Sequence, residues 1–116
     1  MLNQKVSIYV PSTTNVNTAN ENLHKELVVM TLTRLSKLFG GATAIQAKGG
    51  WVSDAVGLVL EDITIVYAFS DAESLTRNMG EVYDIARTIC ENASQECVSV
   101  ETPNGLEFVG VQKNAA

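Results

Sequence analysis

The apolar residues of this chain change period along its length, from the two-residue alternation of a strand to the roughly 3.6-residue spacing of a helix and back. Val6, Ile8 and Val10 alternate with Lys5, Ser7 and Tyr9, a half-buried first strand. Pro11 to Asn20 is a polar loop rich in turn-forming and capping side chains. From Glu21 to Phe39, Leu23, Leu27, Val28, Met30, Leu32, Leu35 and Phe39 recur at helical spacing, and Gly40 closes the helix. Thr43 to Trp51 and Leu60 to Phe69 read as strands joined through Val52 to Gly57, with Ile63, Ile65, Tyr67 and Phe69 on one face. Ser70-Asp-Ala-Glu73 is a capping-box pattern, followed by the stripe Leu75, Met79, Val82, Tyr83, Ala86, Ile89 and Cys90. Gly80 within that stripe costs helix stability, which close helix packing would explain. Cys97 to Glu101 and Leu106 to Val111 flank the turn Thr102-Pro-Asn-Gly105, and Gln112 to Ala116 read as a frayed tail.

The resulting order is β-α-β-β-α-β-β. It predicts an α+β, ferredoxin-like antiparallel sheet with two helices on one face and an added C-terminal strand, a single domain over 1–116. The second sheet face is then uncovered. Since monomers rarely expose an apolar face of more than a few hundred Å², a homo-oligomer is expected.

Gly40 to Trp51, GGATAIQAKGGW, gathers four glycines and three alanines around one lysine and the only tryptophan. One reading is a backbone edge beside a large indole, suited to a flat, anionic, nucleotide-like ligand. The other is a helix C-cap at Gly40-Gly41, a small-residue strand, and a bulge at Gly49-Gly50.

Composition excludes several classes. A chain of 116 residues, 46% hydrophobic and 18% charged, can bury a core and is not expected to be disordered. No apolar run approaches the roughly 18 residues needed to span a bilayer, and the alternating start MLNQKVSIYV lacks the apolar core of a secretory signal. A cytosolic protein is expected. A net charge of −5 argues against general DNA or RNA binding. Cys90 and Cys97 fit neither a zinc pattern nor a redox pair and read as small buried hydrophobes. His24, the only histidine, reads as a surface residue of the first helix, and no metal site or cofactor is expected.

Three segments, KVSIYVPST (Lys5 to Thr13), LFGGATAIQAKGGWVS (Leu38 to Ser53) and GLVLEDITIVYAF (Gly57 to Phe69), resemble the first-described Thoeris anti-defence family of bacteriophages. The resemblance implies a sponge in the cytoplasm of the infected bacterium. Such a protein sequesters cyclic ADP-ribose isomers, such as glycocyclic ADP-ribose, made by TIR-domain immune proteins, and in some cases cyclic oligonucleotides. It implies oligomers with the signal held where protomers meet, and no cleavage. The absence of a triad, dyad or metal cluster in the sequence is compatible with a chain that is not an enzyme.

A ligand of this kind needs an aromatic face for adenine and cationic or N–H donors for pyrophosphate. Arg77 and Asn78, near the positive end of the second helix, are the candidates for phosphate and for ribose or base, or else a solvated surface pair. Phe69 and Trp51 are the stacking candidates, or else core or interface residues. Thr13 and Thr14, with Ser12, offer hydroxyls or only cap the first helix. Arg34 and Lys37 read as solvent-exposed; Glu61 and Asp62 suit ribose hydroxyls but oppose phosphate. Two rival classes remain: a small ferredoxin-like oligomeric enzyme working through Tyr67, Tyr83 or Glu61, and a module that binds an immune protein directly.

Overall fold

The computed structural model describes residues 1–13 and 19–110. Seven elements follow the expected order: β1 (Gln4–Pro11), α1 (Glu21–Phe39), β2 (Thr43–Ser53), β3 (Gly57–Ser70), α2 (Ala72–Asn92), β4 (Cys97–Thr102) and β5 (Gly105–Gly110). The five strands form one antiparallel sheet in the order β2-β3-β1-β4-β5, a ferredoxin-like arrangement with β5 added at an edge.

β1 is central, and its alternation sorts the two layers. Val6, Ile8 and Val10 are wholly buried and face the helices, as do Val66 and Ala68 of β3 and Val98 and Val100 of β4. α1 supplies Leu27 and Leu35, and α2 supplies Leu75, Val82, Ile85, Ala86 and Ile89. Lys5, Ser7 and Tyr9 point to the other face with Ile63, Ile65, Tyr67 and Phe69, and no helix covers them.

Local chemistry sets the helix ends. Asn20 caps α1 by accepting from the Leu23 amide at 3.0 Å, and Gly40, at φ +88°, returns its N–H to the Ser36 carbonyl at 2.8 Å. The capping box read from Ser70 to Glu73 does not form: Asp71, not Ser70, caps α2, accepting from the Ser74 amide at 2.7 Å. Carboxylate and hydroxyl compete for that position, and the carboxylate is the stronger acceptor.

Several expectations are corrected. β2 passes through Gly49 and Gly50 in unbroken register with Glu61 and Leu60, so there is no bulge. The two strands of this hairpin run on to Ser53 and Gly57, beyond the last β1 partner at Ile63. Cys90 is buried with its thiol toward the Val109 carbonyl, but Cys97 is exposed on the open face. A Cβ on Gly80 would meet nothing within 4 Å, so this glycine serves no close packing. His24 is half-buried and uses both ring nitrogens: Nδ1–H donates to the Pro11 carbonyl at 2.8 Å, and Nε2 bonds the Thr64 hydroxyl at 2.8 Å. It ties α1 to two strands. Among the described residues no helix is long and apolar enough to cross a membrane.

Two stability changes of opposite sign follow. Gly80→Ala, with free space and helical backbone, should raise stability by about 1 kcal/mol. His24→Ala removes two hydrogen bonds at about 0.5–1.5 kcal/mol each and should lower it by about 1–3 kcal/mol. Urea unfolding checks both; an unchanged midpoint for His24→Ala would show that the histidine clamp carries no stability.

Candidate functional site

The open face becomes concave where β3 leaves the shelter of β1. A cleft of about 110 Å³ lies there, lined by Tyr9, Pro11, Glu61, Ile63, Gln95, Cys97, Val98 and Ser99. Strand alternation brings Tyr9, Pro11, Glu61, Ile63, Cys97 and Ser99 to one face. Tyr9 of β1 lies between Ile63 and Glu61 of β3 on one side and Ser99 and Cys97 of β4 on the other. Opposite Glu61 on β2 is Gly49, so the carboxylate has no cross-strand side chain beside it.

Glu61 is held by the segment that leaves β1. The Thr13 hydroxyl donates to its carboxylate at 3.0 Å, while the Thr13 carbonyl accepts from the Gln95 side chain. Among the described residues Glu61 forms no ion pair, and Lys48, next to its partner Gly49, is engaged with Asp62 on the opposite face of the hairpin at 2.6 Å. Burial raises the Tyr9 phenol above its ordinary pKa, and the neighbouring Glu101 carboxylate adds to the shift through its charge and a hydrogen bond. Lys5 sits 4.6 Å above the Tyr67 ring, which packs edge-on against Phe69. At the centre of this row the Ser7 hydroxyl is buried without a partner among the described residues.

The electrostatics are one-sided. Glu61 lines the cleft, Glu101 adjoins it through Tyr9, and none of the lining residues is basic. Such a site favours a cationic or neutral ligand with flat apolar surface over a phosphate.

The residues singled out in the sequence are not gathered into one place. Thr13 is at the cleft, through its bond to Glu61. Thr14 lies outside the described residues. Phe69 lines a different recess at the far end of the open face, with Phe39, Gly40, Gly41, Thr43 and Tyr67. Trp51 stands on the projecting hairpin, 58% exposed. Arg77 and Asn78 lie on α2, in the helix layer: Arg77 approaches Glu73 at 3.8 Å, and the Asn78 amide donates to the Ser74 carbonyl at 2.9 Å. Tyr9, Gln95 and Ser99 escaped sequence reasoning. The alternation of β1 assigns Tyr9 to the polar side, but only the register with β3 and β4 shows which carboxylates it meets.

No family model matches the chain, and no curated protein matches it. Two solved structures do: a phage SAM lyase in complex with S-methyl-5'-thioadenosine, and a phage SAM lyase in the apo state. Each is 18% identical with a TM-score of 0.56, over 96% of this chain and 84% of that chain. At this identity the likeness is one of fold. It overturns the expectation that the chain is not an enzyme. A lyase is built on this frame, so the lack of a triad or metal-ligand pattern in the sequence does not argue against catalysis.

The raised Tyr9 pKa has a defined sign. The folded protein holds the phenol proton more tightly than the unfolded chain, where tyrosine titrates near its ordinary value of about 10. The linked stabilisation is fully present below about pH 10 and is lost as pH rises through the raised value. Glu101→Gln removes the carboxylate's charge but leaves the burial, so the Tyr9 pKa should fall yet stay above the ordinary value. Phenolate absorbance in a Tyr67→Phe, Tyr83→Phe background reads Tyr9 alone. An unchanged curve would remove Glu101 from the account of this site.

Proposed function

We propose that this chain is a phage counter-defence protein acting in the host cytoplasm on an adenosine derivative that carries a positive centre, S-adenosylmethionine being the type case. The observation that carries this reading is the Glu61 cleft: a carboxylate held by Thr13, beside a side-chain-free position, in a cleft that no basic residue lines. The likeness of fold to a phage SAM lyase, one structure of which holds S-methyl-5'-thioadenosine, supports it.

A sulfonium needs little from a protein to be split. Its sulfur leaves as a neutral thioether, taking the electron pair of the breaking carbon–sulfur bond, while the carboxylate of the substrate's own amino-acid chain attacks that carbon and closes a lactone, so that no outside reactant is needed. A protein contributes chiefly by holding the cation and the reacting groups in position. Glu61 faces the positive centre, and the phenol of Tyr9 stays protonated as a hydrogen-bond donor. At about 110 Å³ the cleft takes the reactive end of the ligand, and the nucleoside lies across the open face.

Cyclic ADP-ribose isomers and cyclic oligonucleotides, the ligands implied by the family resemblance, carry phosphates. These are opposed by Glu61 and Glu101, and Arg77 lies in the other layer of the fold. A direct grip on an immune protein has no comparable geometric support.

Incubation of the protein with S-adenosylmethionine, followed by mass spectrometry, tests the proposal. S-methyl-5'-thioadenosine should accumulate. Glu61→Gln removes a charge-assisted contact of about 1.5–3 kcal/mol and should reduce turnover at low substrate by about tenfold or more. Arg77→Ala should change nothing. S-adenosylmethionine recovered intact, with no thermal shift from it or from S-methyl-5'-thioadenosine, would overturn the reading. A shift with cyclic ADP-ribose isomers alone, lost in Arg77→Ala, would identify a pyrophosphate nucleotide as the ligand.

A further inference from the structure

Ser7 stands at the middle of β1 on the side that neither helix covers, yet it is fully buried. Its hydroxyl finds no hydrogen-bond partner among the described residues. A buried hydroxyl in this state lowers stability, because the bonds to water that it gave up on folding are not replaced. Alanine would fill the same position without that penalty. A serine kept here serves something other than stability.

The neighbours of Ser7 form a roof over it. Directly across the sheet stand Tyr67 of β3 and Glu101 of β4. The residues on either side of Ser7 on the same face, Lys5 and Tyr9, reach across in opposite directions. The Lys5 ammonium lies 4.6 Å from the centre of the Tyr67 ring, and the Tyr9 phenol is hydrogen-bonded to the Glu101 carboxylate. Both are diagonal cross-strand pairs, which long side chains can span. Lys5 is the loose half of the roof: it is exposed, and an ammonium on an open ring face is weakly held. Its rotation into solvent uncovers the Ser7 hydroxyl, a face of Tyr67 and the side of Glu101 that Tyr9 does not use. A carboxylate accepts up to about four hydrogen bonds, so one from Tyr9 does not exhaust it.

These three groups together select a ligand. The ring face suits a flat aromatic group. Glu101 takes an N–H donor, and Ser7 beside it gives its proton to an acceptor. A ring nitrogen next to an exocyclic amino group presents that pair, as N1 and the 6-amino group of adenine do. A 6-oxopurine would turn a carbonyl oxygen toward the carboxylate and be repelled.

We infer that Ser7, Glu101 and the face of Tyr67 form an adenine subsite with Lys5 as its cover. Ser7 donates to N1, and Glu101 accepts from the 6-amino group. The inference rests on the proposed function: a nucleoside whose sulfur enters the Glu61 cleft passes Tyr9 and lays its base over Ser7, about 7 Å further along β1. Ser7 acts in recognition and takes no part in bond breaking.

Calorimetry with S-methyl-5'-thioadenosine and its 1-deaza and 7-deaza analogues, on the parent and on Ser7→Ala, tests the subsite, with urea unfolding of both proteins alongside. Ser7→Ala should unfold at a higher urea concentration than the parent and bind S-methyl-5'-thioadenosine about three- to tenfold more weakly. The 1-deaza analogue, which lacks the acceptor, should lose the same factor on the parent and nothing further on Ser7→Ala. The 7-deaza analogue should match the natural nucleoside on both proteins. A merely structural serine would treat the three nucleosides alike. Unchanged affinity in Ser7→Ala, a parent indifferent to N1, or a lower urea midpoint in Ser7→Ala would each overturn the subsite. Turnover of S-adenosylmethionine by the parent separates this inference from the reading beneath it. Turnover without a preference for N1 overturns the subsite alone, and a preference for N1 without turnover overturns the lyase reading alone. A parent that binds none of the three nucleosides overturns both.

Discussion

Two helices cover only one side of a five-stranded sheet, and most of this protein's chemistry follows from that shortage. β1 takes the centre because it is the strand that alternates most cleanly, with Val6, Ile8 and Val10 wholly buried under the helices. The same alternation obliges Lys5, Ser7 and Tyr9 to face the uncovered side. Polar and aromatic groups are therefore delivered together to a surface that neither helix covers. The cleft is a by-product of layering, sited where one strand outruns its neighbour.

This origin explains why the site was hard to read in advance. Periodicity identified every element, because burial on one face imposes a period that survives without long-range information. Element ends were less legible. Gly49 and Gly50 looked like an interruption, yet they sit in regular register; Gly49 leaves room for Ile63, whose Cδ1 would lie 2.7 Å from an added Cβ. His24 read as a surface residue because its partners, the Pro11 carbonyl and Thr64, are 13 and 40 positions away. Glu61 was visible as an acidic residue on a strand. Its restraint by Thr13, and the presence of Tyr9 and Ser99 beside it, depend on pairings between distant strands.

The family resemblance and the solved structures bear on this chain in different ways: the one is a reading of sequence segments, the other a likeness of fold. The resemblance rests on small and apolar residues, which specify a framework more than a reaction. The solved structures share that framework at low identity with a lyase. Between them stands the local electrostatic argument, which neither supplies. In the proposed function Glu61 and Glu101 set the sign of the ligand, and sign separates a sulfonium from a pyrophosphate more sharply than shape does.

The central place of β1 also has a consequence for how the chain is made. Its register joins Ser7 to Tyr67 on one side and to Glu101 on the other, so the first strand synthesised is the last to be flanked on both edges. The hairpins β2–β3 and β4–β5 close locally, through short turns, and can form as they emerge from the ribosome. The second edge of β1 stays unpaired until β4 has left the exit tunnel.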